Sequence, residues 1–589
     1  MTIPLVVAAG ADDMAALPQT LWLQAVVPLL FACWLATSRV RLPLVRRFAP
    51  ILAFLAWAAL SLFWATDRFA SERALFPWLA AAGLALLIAN TTQSEADVRR
   101  LLMALFGASV VVSALGLLQH IGGWDGIPQA VPPAGTMGNK NIAAGFVAVM
   151  APVGAVAFFA ARTAWIASLL ALSLGMALAF VAQTGCRAAG LALAAQIAVA
   201  LSLVAARVVK PRSVGVNWGP LCAGAGAFLW LATMQPAIPG TAQGTPAELL
   251  DGTARPLFRF LSGAAPAPGA DSAAELSPTE RAERSVAIRL GVWGNTLQLI
   301  RESPLAGVGV GNFRVHYPRF ARSAGVDGTR IDERVDSVHN DYAQIAAELG
   351  LVGAGLLLWV LLSIGRSILA AIRDPASAAH GLQVASALGL LGLLLLAAVS
   401  PMMGQPIALV AAATFLGVTM RLPFARPAPT VEPGSKPWAA YALDLPVLAA
   451  AATFVIAGVW GSAQLDADRH VLNMAIAEAR GDWPEAIREG LIARRLNPGR
   501  TDARFGTASA MLRVGQTNEA ARMLEELVAV DPYNANALGN LGMAYAASGD
   551  LERSASCYER VLRLRPDDRI ARAQLKRVMA SEGAGNAPS

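Results

Sequence analysis

Over the first 461 residues long apolar runs alternate with short charged connections, and after that the pattern changes. Runs of roughly 17–22 apolar residues, the length at which a helix crosses about 30 Å of hydrocarbon, predict twelve membrane spans. They lie near 20–37, 49–65, 74–90, 101–119, 142–161, 163–183, 188–206, 215–233, 350–365, 381–400, 403–420 and 443–461. The first begins late, lacks a basic leader and is followed by Arg39 and Arg41 rather than a cleavage site, so it reads as a span and not a signal peptide.

The tail has a different period. Pro498, Pro532 and Pro566 are 34 residues apart, and so are Gly481, Gly515 and Gly549. Punctuation at this period marks tetratricopeptide helix-turn-helix units, and it predicts three of them over 467–568, followed by a terminal segment 569–589. Leu538, Leu541, Gly542, Tyr545 and Tyr558 take the packing positions of the last copy, with small Ala486, Ala520 and Ser554 where the paired helices approach most closely. Three copies are near the minimum for a stable stack, and such arrays bind a peptide or protein partner.

Composition agrees with this division. The whole chain is 56% hydrophobic and only 15% charged, which excludes a soluble enzyme, a disordered chain or a nucleic-acid binder. From Leu465 onward 17 basic residues balance 17 acidic ones, so the net charge of +7 belongs to the membrane part. Loops after spans 1, 3, 5, 7, 9 and 11 hold most of the basic residues, among them Arg46, Arg47, Arg99, Arg100, Arg207, Lys210 and Arg212. Those after spans 2, 4, 6 and 10 hold only Arg68, Arg73, Lys140 and Arg187. The excess of Lys and Arg on the cytoplasmic side then turns the amino terminus, the long loop at 234–349 and the tail outward. The predicted architecture is all-α: helices 1–8 within 1–233, the long loop 234–349, helices 9–12 within 350–461, and the repeats. The cysteines, Cys33, Cys186, Cys222 and Cys557, form no disulfide framework.

The long loop carries the chemistry. Its first part, Gln243 to Pro278, is rich in Ala, Gly and Pro and reads as an insert with little order of its own. Ser285 to Glu302 repeats Val286, Leu290, Trp293, Leu297 and Ile300 at helical spacing, predicting an amphipathic helix at the membrane surface with Arg281, Arg284 and Arg289 on or beside it. The run Gly307-Val308-Gly309-Val310-Gly311 lacks the preceding strand and the Lys-Ser/Thr of a P-loop, so a tight turn is the better reading. The five histidines are scattered without ligand spacing, and neither a metal nor a cofactor is expected.

Several of these segments carry a resemblance. Gly307-Val308-Gly309-Val310-Gly311-Asn312-Phe313, then His339-Asn340-Asp341-Tyr342, then Glu348-Leu349-Gly350-Leu351-Val352-Gly353 together resemble the signature of the O-antigen ligase and polymerase superfamily. Thr184-Gly185-Cys186-Arg187 resembles its Thr-Gly-Ser-Arg turn, with Cys186 where Ser is usual. Arg289-Leu290-Gly291-Val292-Trp293 is similar to its Arg-x-x-x-Trp stretch, and Gly135-Thr136-Met137-Gly138-Asn139-Lys140-Asn141 to its Gly-Thr-x-x-Asn-x-Asn segment. No one motif is specific, but the set stands in the family's order.

The resemblance implies a bacterial inner-membrane enzyme, its loop and repeats in the periplasm, that moves a glycan from an undecaprenyl diphosphate carrier to an acceptor hydroxyl. The acceptor of a ligase is a lipid A core sugar, that of a polymerase another carrier-linked unit, and that of a protein oligosaccharyltransferase a Ser or Thr; the ligase is the first choice. A diphosphate leaving group needs fixed cations, a role that suits the guanidinium forks of Arg187 and Arg289. His339 is the candidate base for the acceptor hydroxyl. Lys140, Asn141, Asn340 and Arg314 are candidate contacts for the diphosphate or glycan. Transfer is then a metal-independent single displacement with inversion. A lipid-carrier or polysaccharide transporter, the competing class, needs ionisable groups within the spans, and the spans as drawn hold only Asp444 at an edge.

Overall fold

The computed structural model describes residues 5–8, 13–37, 42–124, 126–127, 132–205, 218–234, 278–321, 335–373, 380–421 and 445–585. The insert at 243–277, the side chains of Arg281 and Arg284, the loop residues Arg39, Arg41, Arg207, Lys210 and Arg212, and Asp444 lie outside the described residues.

Each of the apolar runs forms a helix within its described residues. In chain order they are α1 (Ala16–Thr37), α2 (Leu42–Leu60), α3 (Arg68–Thr91), α4 (Glu95–Gly122), α5 (Lys140–Ala160), α6 (Ala164–Thr184), α7 (Arg187–Ala205) and α8 (Trp218–Thr233). The loop contributes α9 (Pro278–Glu302) and the short turn α10 (Phe313–His316). Then follow α11 (Asp341–Arg373), α12 (His380–Ala397), α13 (Pro406–Met420) and α14 (Leu445–Arg480). Among the described residues nine helices are long and apolar enough to cross a membrane, while α8 and α13 are shorter apolar helices. The twelfth apolar run differs in another way. It is the first part of α14, whose later part continues without a break as the opening helix of the repeat array. The chain is a multi-pass membrane protein, with no strand element among the described residues.

These helices are apolar around their whole circumference, which removes the usual solvent face. Phe48, Leu102, Phe146, Met150, Phe180, Leu349 and Phe415 fill one continuous core, while Trp165, Leu201, Trp230 and Val459 face outward as lipid-contacting side chains do. The repeat array continues with α15 (Trp483–Leu496), α16 (Thr501–Arg513), α17 (Thr517–Val530), α18 (Ala535–Ala547), α19 (Leu551–Leu564) and α20 (Arg569–Gly585). The periodic glycines end alternate helices in the left-handed region, with Gly481, Gly515 and Gly549 at φ 74°, 79° and 84°. Ala486, Ala520 and Ser554 are fully buried, and Leu538, Leu541, Tyr545 and Tyr558 pack where the repeat pattern puts them.

The apolar face of α9 is not quite the expected one. Leu290, Val292 and Leu299 are buried, but Leu297 is 54% exposed. The reason is its partner: α9 packs on Val308, Phe313, Tyr317, Val338 and Ala347 of the motif loops, which form a small core of their own with it.

Candidate active site

The Gly-rich turn acts as a hinge pin between loop and bundle. Gly307, Gly309 and Gly311 have φ of 68°, 96° and 74°, and a Cβ on Gly309 or Gly311 would meet Ala65 at 2.8 Å or the Ala70 carbonyl oxygen at 2.6 Å. Val308 and Gly309 donate their N–H groups to the carbonyls of Ala347 (3.1 Å) and Glu348 (2.8 Å). Gly311 and Phe313 donate theirs to the Glu348 carboxylate at 2.8 and 3.3 Å. A ring of backbone N–H groups is an anion cradle, and here the chain's own buried Glu348 occupies it. A tight turn, rather than a phosphate loop, is what the structure has.

Asn312 completes the attachment. Its side chain accepts from the Asp67 N–H at 2.7 Å and donates to the Asp67 carbonyl at 3.1 Å and the Ser71 hydroxyl at 2.8 Å, while Ser61 Oγ accepts from Val310 at 3.0 Å. At Gly350, φ 67° and ψ −169° break α11, and the two N–H groups freed there, Leu351 and Val352, bond to Pro304 (2.8 Å) and Leu305 (3.3 Å). The Glu-Leu-Gly-Leu-Val motif and the Gly-rich motif therefore interlock.

On this frame three segments meet. The turn Thr184-Gly185-Cys186 ends α6 and starts α7 within two residues: Gly185 is left-handed at φ 58° and the Thr184 hydroxyl accepts from Cys186 N at 3.3 Å. Arg187 is thus the first residue of α7. The segment before α5 is held by Gln119, which accepts from Gly135 N at 2.7 Å and donates to Gly135 O at 3.2 Å. Asn139 then caps α5 by accepting from Asn141 N at 2.9 Å, so Lys140 and Asn141 open that helix. The third segment pairs α9 with the His339 loop. Trp293, one turn beyond Arg289, donates its indole N–H to the Val338 carbonyl at 3.0 Å, and His339, the next residue, is within electrostatic reach of Arg289.

Lys140, Arg187 and Arg289 lie within electrostatic reach of Cys186, and His339 within that of Arg289. The Arg289 guanidinium is drawn below its ordinary value by burial, with the like charge of Arg187 adding to the effect. His339 is also lowered, first by burial and then by the positive charge of Arg289, which keeps its imidazole neutral and able to accept a proton. Lys140 and Arg289 both act on Cys186, whose thiol is pushed up by burial and is therefore held as the unreactive thiol. Among the described residues no carboxylate pairs with Arg289. His339 is also in the left-handed region, at φ 54°, a conformation uncommon for a side chain other than Gly and concentrated at functional sites.

Two expected contacts have other engagements. Asn340 accepts from Ala343 N at 3.1 Å and so caps the start of α11. Arg314 is turned toward Asp336 (3.8 Å) and Thr501 Oγ1 (3.4 Å), at the junction with the repeats. Sequence reasoning missed Glu348 as an anchor, along with Ser61, Asp67, Ser71 and Gln119. A lone carboxylate entering an apolar stretch was the available signal for the first of these. Among the described residues no group of three His, Cys, Asp or Glu side chains is close enough to hold a metal ion.

Residues 143–358 match the family model described as O-antigen ligase, a range that takes in Arg187, Arg289, Arg314 and His339 and begins just after Lys140 and Asn141. Residues 511–578 match a tetratricopeptide repeat model. No curated protein matches the chain. With the motifs, the bundle and the repeats in place, the chain carries an O-antigen ligase domain in a multi-pass membrane protein that ends in tetratricopeptide repeats.

Proposed function

We propose that this protein is a glycosyltransferase of the periplasmic face of the bacterial inner membrane, transferring a glycan from undecaprenyl diphosphate to an acceptor hydroxyl, with a lipid A core sugar as first choice. The observation that carries the reading is that Arg289 lies within electrostatic reach of both Arg187 and a His339 whose pKa is lowered, first by burial. Two guanidiniums brought together in a half-buried place repel one another, and a diphosphate between them relieves that repulsion through bidentate charge-assisted bonds.

In the reaction the acceptor oxygen attacks the anomeric carbon as the carbon–oxygen bond to the diphosphate breaks. The bonding pair leaves with the diphosphate, held by Arg187 and Arg289 with Lys140 beside them. His339 takes the acceptor proton. A single displacement of this kind inverts the anomeric centre, and the chain's own cations supply the charge stabilisation, so no metal is called on. An apolar cavity of about 180 Å³ among Phe54, Trp78, Leu357, Leu390 and Leu416 supports a prenyl-chain carrier. Tyr342, three residues after His339, lines it.

The test is transfer by reconstituted protein from a polyprenyl diphosphate glycan, offered a lipid A core acceptor, a second carrier-linked unit and a Ser/Thr peptide in separate reactions. Arg187→Ala, Arg289→Ala and His339→Ala should each lose activity by about a hundredfold or more. Undiminished transfer in all three would overturn the site assignment, and product with the donor's anomeric configuration would overturn the single displacement.

A further inference from the structure

Where the repeats meet the membrane helices there is a polar cavity of about 200 Å³, built from the segment before α1, the start of α3, the motif loop and the turn between α15 and α16. Its buried framework is an ion cluster. Arg500 lies between Asp468 and Asp502, and Asp468 also accepts from Asp13 N at 2.8 Å. These bonds tie the amino-terminal segment to the first repeat.

The groups left facing the cavity are of both signs. Asp13 Oδ1 accepts from Ala15 (3.2 Å) and Ala16 (2.8 Å), and Asp67 Oδ1 from Ala70 (3.0 Å), so each of these carboxylates is held by one oxygen. Their second oxygens take no hydrogen bond among the described residues. Neither does the Arg73 guanidinium, which is within electrostatic reach of Arg314, Arg500, Asp502 and Asp13. Among the described residues Arg314 makes only the long contacts to Thr501 and Asp336.

A simple anion placed here meets four carboxylates, and a simple cation meets three guanidiniums. A neutral polyol meets neither difficulty, because each hydroxyl both donates and accepts and is satisfied by alternating guanidinium and carboxylate partners. Through Arg314 the cavity's edge is joined to Asp336, three residues before His339.

We propose that this cavity is a saccharide subsite, completed by the repeat array, that holds a neutral hydroxyl-rich sugar of the glycan handled at His339. The inference rests on the transferase reading above for the identity of the glycan, but not for the binding itself. The repeats then contribute directly to glycan binding as well as offering a surface for a protein partner.

The experiment uses oligosaccharide released by mild acid from the lipid-linked pool of the producing cells, and hence free of diphosphate, with full-length protein in detergent. Saturation-transfer NMR reads binding without turnover. Sugar contact is expected in wild type and in Arg289→Ala, and binding about tenfold weaker in Arg73→Met, as for loss of hydrogen bonds from a charged donor. Arg73→Lys should restore part of it, and Arg314→Met serves as a second variant should Arg73→Met fold poorly. Equal binding by wild type and both Met variants, or no contact in wild type, would overturn the subsite. Loss in Arg289→Ala alone would place the sugar at the diphosphate site and overturn it too. Binding that persists while no acceptor supports transfer would instead remove the transferase reading and leave the saccharide site standing.

Discussion

The backbone N–H of Gly311 donates to the buried Glu348 carboxylate at 2.8 Å, and the same carboxylate takes the N–H of Phe313 at 3.3 Å and the side-chain amide of Gln344 at 3.2 Å. One acidic side chain thereby fastens the Gly-rich turn to α11. Glu348→Ala leaves two N–H donors, one buried and one part-buried, without this partner, each worth about 1–3 kcal/mol, so a loss of about 2–6 kcal/mol is expected. Glu348→Gln keeps an accepting oxygen and should lose less. Thermal melting of the purified protein in detergent gives the comparison, and equal melting of all three proteins would mean that the turn does not depend on this carboxylate.

Gly350 gives a sharper test of the same interlock. A Cβ there would lie 2.2 Å from the Leu305 carbonyl oxygen, at a φ of 67° that side chains rarely adopt. Neither atom can yield without separating α11 from the motif loop. Gly350→Ala should therefore reduce the yield of folded protein severely. Gly355→Ala, five residues along the same helix with nothing within 4 Å of the added carbon, should be tolerated. Size-exclusion profiles of the two variants decide the matter, and identical profiles would contradict the close approach.

Trp293 supports the site without touching the reacting atoms. Its hydrogen bond to Val338 (3.0 Å) anchors the residue before His339, which is within electrostatic reach of Arg289, whose charge joins burial in lowering the His339 pKa. Trp293→Phe keeps the ring and removes the donor. Transfer should fall about tenfold, as for one buried hydrogen bond lost. The acid limb of kcat/KM should also move to higher pH, because His339 drifts from Arg289 and regains its proton more readily. A merely structural role would lower the rate and leave the limb in place.

Periodicity and motif order made some of this legible, and side-chain reach hid the rest. The apolar runs are helices, and the 34-residue spacing of Gly481, Gly515 and Gly549 marked real left-handed helix ends. Lys140, Arg187, Arg289 and His339 could be nominated one by one, because each occupies a motif position. What the sequence did not disclose is that Asn340 is used as a cap, or that Arg314 turns toward Thr501, since both depend on contacts made across the fold. Nor could apolar spacing alone place Leu297, because the buried face of α9 is chosen by Phe313 and Tyr317. The docking of the repeats was equally hidden. It depends on Arg500 reaching Asp468 across one repeat, with the backbone of Asp13 bonded to the same carboxylate.

That docking should weaken in acid through His316. Its Nε2 is 2.9 Å from Thr66 Oγ1, and its ring is 5.7 Å from the ring of Tyr533, a residue of the repeat array over which the Arg319 guanidinium also lies. Burial, with the charge of Arg319 adding to it, lowers the His316 pKa to about 4. An unfolded histidine titrates near about 6.5, so below that pH the unfolded chain takes a proton that the folded chain refuses. The stability from this neutral imidazole is therefore complete above about pH 6.5 and is lost as the pH falls toward about 4. Melting at about pH 7.5 and about pH 5 should show a drop in wild type that His316→Asn reduces, because the substituted side chain has no proton to gain. An undiminished drop in the variant would assign the acid sensitivity to other groups and leave His316 a simple packing residue at the junction.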